Sequence, residues 1–131
     1  MKINHIGYLV SNLQKAIDEF EKLGYEKISE IIHDTIRLVD ICFMSMDGYN
    51  VELVSPYDKA SVVAGLAKKY KNMPYHICYE SEEFMRSLKY LEANGYTRID
   101  EPLEAPAFGG RRVCFLLSAK AGMIEILEGC G

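Results

Sequence analysis

The chain has little of what marks several large classes of protein. It contains no tryptophan, no Cys-x-x-Cys pair and no low-complexity tract, and its net charge of −4 leaves no basic face for nucleic acid. No apolar run approaches the roughly 20 residues of a bilayer-spanning helix. The N-terminus also lacks the apolar core of a signal peptide. We therefore expect a cytoplasmic protein without a membrane or nucleic-acid partner.

The cysteines argue against a fold that depends on disulfides. They lie at positions 42, 78, 114 and 130, and this spacing matches no disulfide framework. Cys42 and Cys114 occupy corresponding places in the repeat described below, and each is followed by phenylalanine. We predict that they are small core residues on equivalent strands and that the thiols are reduced.

An internal repeat is the most informative feature that is present. The segment His5–Tyr8 aligns with His76–Tyr79 at an offset of 71, and the alignment continues without a gap as far as position 101. Each copy then ends in an apolar segment that carries one acid, Glu52 in the first copy and Glu125 in the second. At 131 residues the chain has the length of one domain, so the copies should share one core.

Each copy is predicted to fold as β-α-β-β-β. Apolar alternation indicates a first strand at 2–9, and the apolar spacing that follows indicates a helix capped by Ser11 and ended by Gly24, with Gly95 ending its counterpart. The remaining strands are predicted at 25–32, 37–46 and 49–55, and at 96–103, 111–118 and 122–128. We expect a single domain over 1–131, made of pseudo-repeats 1–55 and 73–131 and a partly helical linker, 56–72.

The repeated histidines and acids predict a metal site. Alternate residues of a strand face the same side of a sheet. If the sheets curl around a common cavity, the first and last strands of the two copies can direct His5, Glu52, His76 and Glu125 at one point. Two imidazoles and two carboxylates suit a divalent ion such as Ni(II), Co(II), Zn(II) or Mn(II). The lack of a thiolate disfavours a closed structural zinc site.

The chain resembles the vicinal oxygen chelate superfamily, which includes glyoxalase I, methylmalonyl-CoA epimerase, extradiol dioxygenases and the fosfomycin- and bleomycin-resistance proteins. The resemblance covers essentially the whole length. It is carried by His5–Val10, Asn50–Pro56, His76–Glu80, Gly110–Leu116 and Gly122–Glu128. It implies an α+β fold in which two βαβββ modules form a curved, half-open mixed β-sheet barrel around a metal.

Within this superfamily, a His-Glu-His-Glu set resembles that of glyoxalase I, or lactoylglutathione lyase. The resemblance implies isomerisation of the methylglyoxal–glutathione hemithioacetal to S-lactoylglutathione through a metal-stabilised enediolate, and hence a role in methylglyoxal detoxification. It implies Glu125 as the principal base and Glu52 as its pseudo-symmetric partner. The shortness of the chain favours Ni(II) or Co(II), with Zn(II) or Mn(II) as alternatives, and a homodimer is expected.

Two alternatives stay open. The run from Pro106 through Leu116 in the second half resembles methylmalonyl-CoA epimerase, whose substrate is an acyl-CoA. That enzyme uses two acids on opposite faces of its substrate, and its additional glutamate would fall near Ile36, where this chain has only Asp34 and Asp40 nearby. The other alternative is a non-catalytic protein of the same fold that binds a small molecule.

Two adjacent arginines are candidates for substrate binding. A guanidinium group binds a carboxylate well because it offers two parallel donors. Arg111 and Arg112 could serve in this way, or they could be one inward-facing and one outward-facing residue of a strand.

Overall fold

The computed structural model describes residues 1–130 of the chain. These residues form two compact units. The first unit comprises residues 5–75, and the second comprises residues 1–4 together with the chain from His76 onward. Each unit contains one copy of the repeat.

The first unit has the predicted β-α-β-β-β order, with one of its strands in two pieces. The elements are β1 (Lys2–Leu9, from His5 onward in this unit), α1 (Leu13–Leu23), β2 (Glu26–Lys27), β3 (Ile32–Asp34), β4 (Val39–Met46) and β5 (Tyr49–Pro56). The strand order is β2-β4-β5-β1, with β3 also paired to β4. Because β1 is parallel to β5 and the other pairs are antiparallel, the sheet is mixed. A short helix, α2 (Ala64–Tyr70), follows.

The second unit repeats this arrangement. Its elements are β6 (Met73–Ser81, from His76 onward in this unit), α3 (Phe84–Ala93), β7 (Thr97–Arg98), β8 (Leu103–Glu104), β9 (Arg112–Ser118) and β10 (Gly122–Glu128). The strand order is β6-β10-β9-β7, with β8 on β9, and β6 is parallel to β10. The prediction of an α+β fold built from two βαβββ modules is confirmed. The single domain over 1–131 stays a prediction.

Each sheet buries one face against its own helix. In the first unit, Leu13 and Ile17 of α1 pack on Val51 and Leu53 of β5 and on Met44. A fully buried leucine stabilises a fold by about 1.5–3 kcal/mol relative to an exposed one. In the second unit the equivalent cluster consists of Phe84, Leu88, Leu91, Cys114, Leu116 and Ile126.

The helix boundaries follow the sequence with one shift. The cap of α1 is Asn12 rather than the predicted Ser11, because the Asn12 side chain accepts the backbone N–H of Lys15 at 2.9 Å. Gly24 ends α1 as predicted, in a left-handed conformation with φ of 108° that glycine adopts at little cost. No helix among residues 1–130 is long and apolar enough to cross a membrane.

Two predicted strands are each interrupted by a bulge. Residues 28–31 lie opposite only residues 42 and 43 of β4, so the predicted strand 25–32 divides into β2 and β3. Residues 99–102 lie in the same way opposite residues 114 and 115 of β9, and the predicted strand 96–103 divides into β7 and β8. At the bulges a side-chain oxygen takes the place of a backbone partner: the N–H of Phe43 donates to Ser29 Oγ, and that of Phe115 to Asp100 Oδ1, both at 2.9 Å.

The cysteines provide a direct test of the core. Cys42, Cys78 and Cys114 are buried, whereas Cys130 is exposed. Burial raises the pKa of the Cys114 thiol to about 12, with a further contribution from Asp100, and it also raises the pKa of Cys42. Because the thiolate is the reactive form, we expect iodoacetamide at neutral pH to label only Cys130 in the native protein. Mass spectrometry of peptides after timed labelling checks this, and labelling of Cys114 at the rate of Cys130 would contradict the packing described above.

Candidate metal-binding site

The first unit pairs one buried histidine with one buried glutamate. Val51 and Leu53 face α1, so Glu52 between them faces the opposite side of the sheet. The parallel register places Gly7 opposite Glu52, and His5 lies two residues earlier on the same face. His5 Nε2 is 3.5 Å from Glu52 Oε1, and the two residues are 1% and 4% exposed.

The second unit forms an equivalent pair. Here Cys78 lies opposite Glu125 in the parallel register, and His76 again precedes it by two residues. His76 Nε2 is 3.1 Å from Glu125 Oε1, and both residues are 3% exposed. The same construction therefore occurs twice, on the sheet face that does not carry the helix.

A phenylalanine lies beside both members of each pair. Phe43 lies opposite Glu52 in the β4–β5 register, and its ring meets His5 edge to face with centroids 5.6 Å apart. Phe115 lies opposite Glu125 in the β9–β10 register, and its ring meets that of His76 in the same way at 5.1 Å. The sequence analysis took the phenylalanines only as neighbours of core cysteines and gave them no place in the site.

The chemistry of each pair fits a divalent metal. Burying an ionisable group is costly unless it is paired or coordinated. A buried imidazole nitrogen next to a buried carboxylate oxygen matches the donors that borderline divalent ions prefer. His5, Glu52, His76 and Glu125 are therefore candidate metal ligands by donor type and burial, and the identity of the ion stays a prediction.

The two candidate arginines lie on different faces of the second unit. Arg112 donates to the Glu128 carboxylate twice, from Nε to Oε1 at 3.2 Å and from Nη2 to Oε2 at 2.7 Å. Its guanidinium lies over the ring of Phe84 in the helix-covered core. Arg111 instead donates to the backbone oxygen of Glu128 at 3.1 Å and to Glu80 Oε1 at 3.4 Å. The two side chains therefore make different contacts, and a substrate role for either stays a prediction.

Glu80 is a buried acid to which the sequence analysis gave no role. It lies four residues after His76, on the same face of β6. Lys2 Nζ is 3.2 Å from Glu80 Oε2, and Asn4 and Arg111 donate to Oε1. Its place in the repeat corresponds to Leu9, so the comparison of the two copies gave no signal for it.

The two aspartates near Ile36 both bind neighbouring groups of the first unit. Ile36 lies in the exposed turn between β3 and β4. Asp34 is buried and stabilises that turn, because Oδ1 accepts the backbone N–H groups of Ile36 and Arg37 at 2.9 Å each. Asp40 Oδ1 is 2.7 Å from Nδ1 of His33.

The model of one protein family matches residues 4–115 of the chain. This family is described as the Glyoxalase/Bleomycin resistance protein/Dioxygenase superfamily. The chain belongs to this superfamily. The resemblance drawn from the repeated strands and donors is thereby confirmed.

Several known proteins to which this chain is similar are methylmalonyl-CoA epimerases. The mitochondrial enzyme of Dictyostelium discoideum is 28% identical over 97% of this chain and 78% of its own length. The human mitochondrial enzyme is 25% identical over 95% of this chain and 71% of its own. Among solved structures, the Mycobacterium tuberculosis methylmalonyl-CoA epimerase superposes with a TM-score of 0.84 at 19% identity, covering 99% of this chain and 89% of that one. The likeness to the solved structure shows the glyoxalase-type fold.

The prediction of glyoxalase I is wrong. The relatives are epimerases, so a lyase that acts on the methylglyoxal–glutathione hemithioacetal is not supported, and neither is a preference for nickel. The error has a physical cause: a divalent ion held by a His-Glu-His-Glu set would stabilise an enolate-type charge, and both reactions need that stabilisation. The alternative drawn from the run Pro106 through Leu116, an acyl-CoA epimerase, is better supported. The cytoplasmic location and the homodimer stay predictions.

The partners of Glu80 predict how the stability of the fold depends on pH. Burial alone would raise the pKa of Glu80, but the hydrogen bonds and charges of Lys2 and Arg111 outweigh it and lower the pKa. The ionised carboxylate therefore adds stability above the ordinary carboxyl pKa of 4.5, and this stability is lost as the pH falls through the lowered value. We expect Glu80→Gln to reduce the free energy of unfolding at about pH 7 and to have a much smaller effect at about pH 3.

Urea unfolding of the wild type and of Glu80→Gln at both pH values measures this difference. Glu101→Gln, at an exposed position, is the control and should change stability little at either pH. An effect of Glu80→Gln that is equal at the two pH values would show that the ion pairs do not stabilise the fold.

Proposed function

We propose that the chain is an acyl-CoA epimerase of the methylmalonyl-CoA type. Its substrate would carry a carboxylate on the carbon next to the thioester, and the reaction would invert the configuration of that carbon. The observation that carries the proposal is the match to methylmalonyl-CoA epimerases over 95–97% of the chain. A buried histidine–glutamate pair in each copy supports it, because the enolate that forms when this proton is removed needs a positive charge beside it, and a divalent ion bound by such donors would supply that charge.

We further propose that both pairs bind one divalent ion. His5, Glu52, His76 and Glu125 would be its ligands, an assignment that rests on their donor types and their equivalent places in the repeat. Two carboxylates balance the charge of a divalent ion, so the four donors form a neutral set. When bound, the ion would supply positive charge next to the substrate oxygens on which negative charge develops.

The glutamates would also move the proton. Inversion requires one group to remove the proton from one face of the carbon and another group to return a proton to the opposite face. Since the turn at Ile36 provides no acid and both nearby aspartates have local partners, Glu125 and Glu52 are the carboxylates we assign to this exchange. Because each is buried, a substrate held against it would meet the carboxylate with little competing water.

Proton exchange on the substrate tests the proposal directly. Chelator-stripped protein is reconstituted with Co(II), Ni(II), Mn(II) or Zn(II) and mixed with one epimer of methylmalonyl-CoA in deuterium oxide. Nuclear magnetic resonance then follows loss of the C2 proton. We expect exchange by the wild type and a fall of about 100-fold or more in Glu125→Gln and Glu52→Gln, the range measured for loss of a general acid or base.

The chain offers matched controls for both residue types. Glu101→Gln changes an exposed glutamate, and His33→Ala changes the one histidine outside the two pairs, so both should exchange like the wild type. His5→Ala and His76→Ala should lose metal as well as exchange. Metal binding without any exchange would sink the epimerase and favour a non-catalytic binding protein. Full exchange in Glu125→Gln would refute the assignment of the base.

A further inference from the structure

In each unit the bulge is hydrogen-bonded to the phenylalanine that lies opposite the glutamate of the candidate metal-binding pair. In the first unit, the carbonyl oxygen of Phe43 accepts the N–H of Ile28 at 3.0 Å, and the N–H of Phe43 donates to Ser29 Oγ at 2.9 Å. The second unit repeats this around Phe115, whose carbonyl accepts the N–H of Ile99 at 2.9 Å. Asp100 Oδ1 there accepts the N–H of Phe115, as Ser29 Oγ does for Phe43.

The acceptor atom occupies the same place in both units although the residue types differ. Ser29 and Asp100 are 71 residues apart, which is the offset of the repeat. A serine hydroxyl and an aspartate carboxylate differ in charge and size, but both offer an oxygen that accepts a hydrogen bond, one bond beyond Cβ in serine and two bonds beyond it in aspartate. The thiols of Cys42 and Cys114 also contact the backbone oxygens of Ser29 and Asp100, at 3.7 and 3.5 Å. The bond from the phenylalanine N–H to a side-chain oxygen is thus present in both bulges, although the side chain that accepts it differs.

This bond holds the backbone of a phenylalanine that lies next to both residues of a pair. The Phe43 ring meets His5 edge to face, and its backbone lies opposite that of Glu52. A change in the backbone of Phe43 would therefore alter the wall against which the imidazole packs and the strand that carries the carboxylate. Phe115 has the same relation to His76 and Glu125.

We infer that Ser29 and Asp100 are positioning residues for the candidate metal ligands. Each fixes the backbone of the phenylalanine whose ring packs against one histidine and whose strand pairs with that of one glutamate. In this way each would control the orientation of the imidazole and the position of the carboxylate. The inference rests on the proposed metal site and extends it to two side chains that are not themselves proposed as ligands. Residues that orient ligands in this indirect way typically change metal affinity by 10–100-fold when they are lost.

The inference is tested by measuring metal affinity, with no assay of catalytic activity. Metal-free wild type, Ser29→Ala and Asp100→Ala are titrated with Co(II), and both the dissociation constant and the visible absorption spectrum of the bound ion are recorded. We expect each alanine variant to bind Co(II) about 10-fold or more weakly than the wild type, with an altered spectrum. Ser29→Thr and Asp100→Asn keep an acceptor oxygen in place and should restore affinity to near the wild-type value.

Controls separate positioning from a general loss of stability. Ser118 Oγ accepts the N–H of Lys120 in the turn between β9 and β10, so Ser118→Ala removes a similar bond away from the pairs and should leave Co(II) affinity unchanged. Urea unfolding of each metal-free variant gives its stability independently. If an alanine variant does not fold, Phe43→Leu and Phe115→Leu keep an apolar side chain of nearly the same volume and should show the same loss of affinity.

The outcomes distinguish this inference from the metal site on which it rests. Wild-type protein that binds no Co(II) would overturn both. Wild-type protein that binds Co(II), together with alanine variants of equal affinity and unchanged spectrum, would overturn the positioning role and leave the metal site intact. A loss of affinity that Thr and Asn do not restore, or that Ser118→Ala shares, would also overturn the positioning role.

Discussion

The site depends on the parallel pairing of the first and last strands in each copy. A histidine near the start of a copy and a glutamate near its end become neighbours only because β1 lies beside β5, and β6 beside β10. Parallel strands need a long crossover connection, and the helix with the intervening strands provides it. The pairing therefore explains why the two donors are so far apart in sequence.

The register of that pairing is enforced by the core. Val51 and Leu53 pack against α1, and this fixes which way Glu52 faces. If the pairing slipped by one residue, the Glu52 side chain would point into the helix-covered core, and both apolar neighbours would point to the opposite face of the sheet. Two costs would then arise together, because a charged group would be buried without a partner and apolar packing would be lost. The same hydrophobic alternation thus builds the fold and orients the donors, so a change at Val51 or Leu53 acts on both.

The repeat made much of the fold and the donors predictable, and it also limited what could be found. His5, His76, Glu52 and Glu125 recur at equivalent places, so comparison of the copies identified them. Glu80 corresponds to Leu9, and a feature present in one copy is invisible to such a comparison. The bulges were missed for another reason: nothing in the sequence around Ser29 marks the place where the pairing of the strand is interrupted. Only the tertiary structure shows that its hydroxyl replaces a backbone partner, a competition open to short polar side chains.

The reaction is harder to predict from sequence than the candidate donors are, because a set of metal donors would specify a type of charge stabilisation and leave the substrate open. Epimerisation adds one requirement that isomerisation of a hemithioacetal lacks. A planar enolate must be reached by a proton from either face, and the reverse reaction uses the same two groups in exchanged roles. A pair of glutamates at equivalent positions of a repeat provides two acids of the same kind in matched surroundings, each opposite a phenylalanine and next to a histidine. Under the proposed function, that equivalence would allow either glutamate to remove the proton while the other returns it, so the two directions of the reaction would use bases of the same kind.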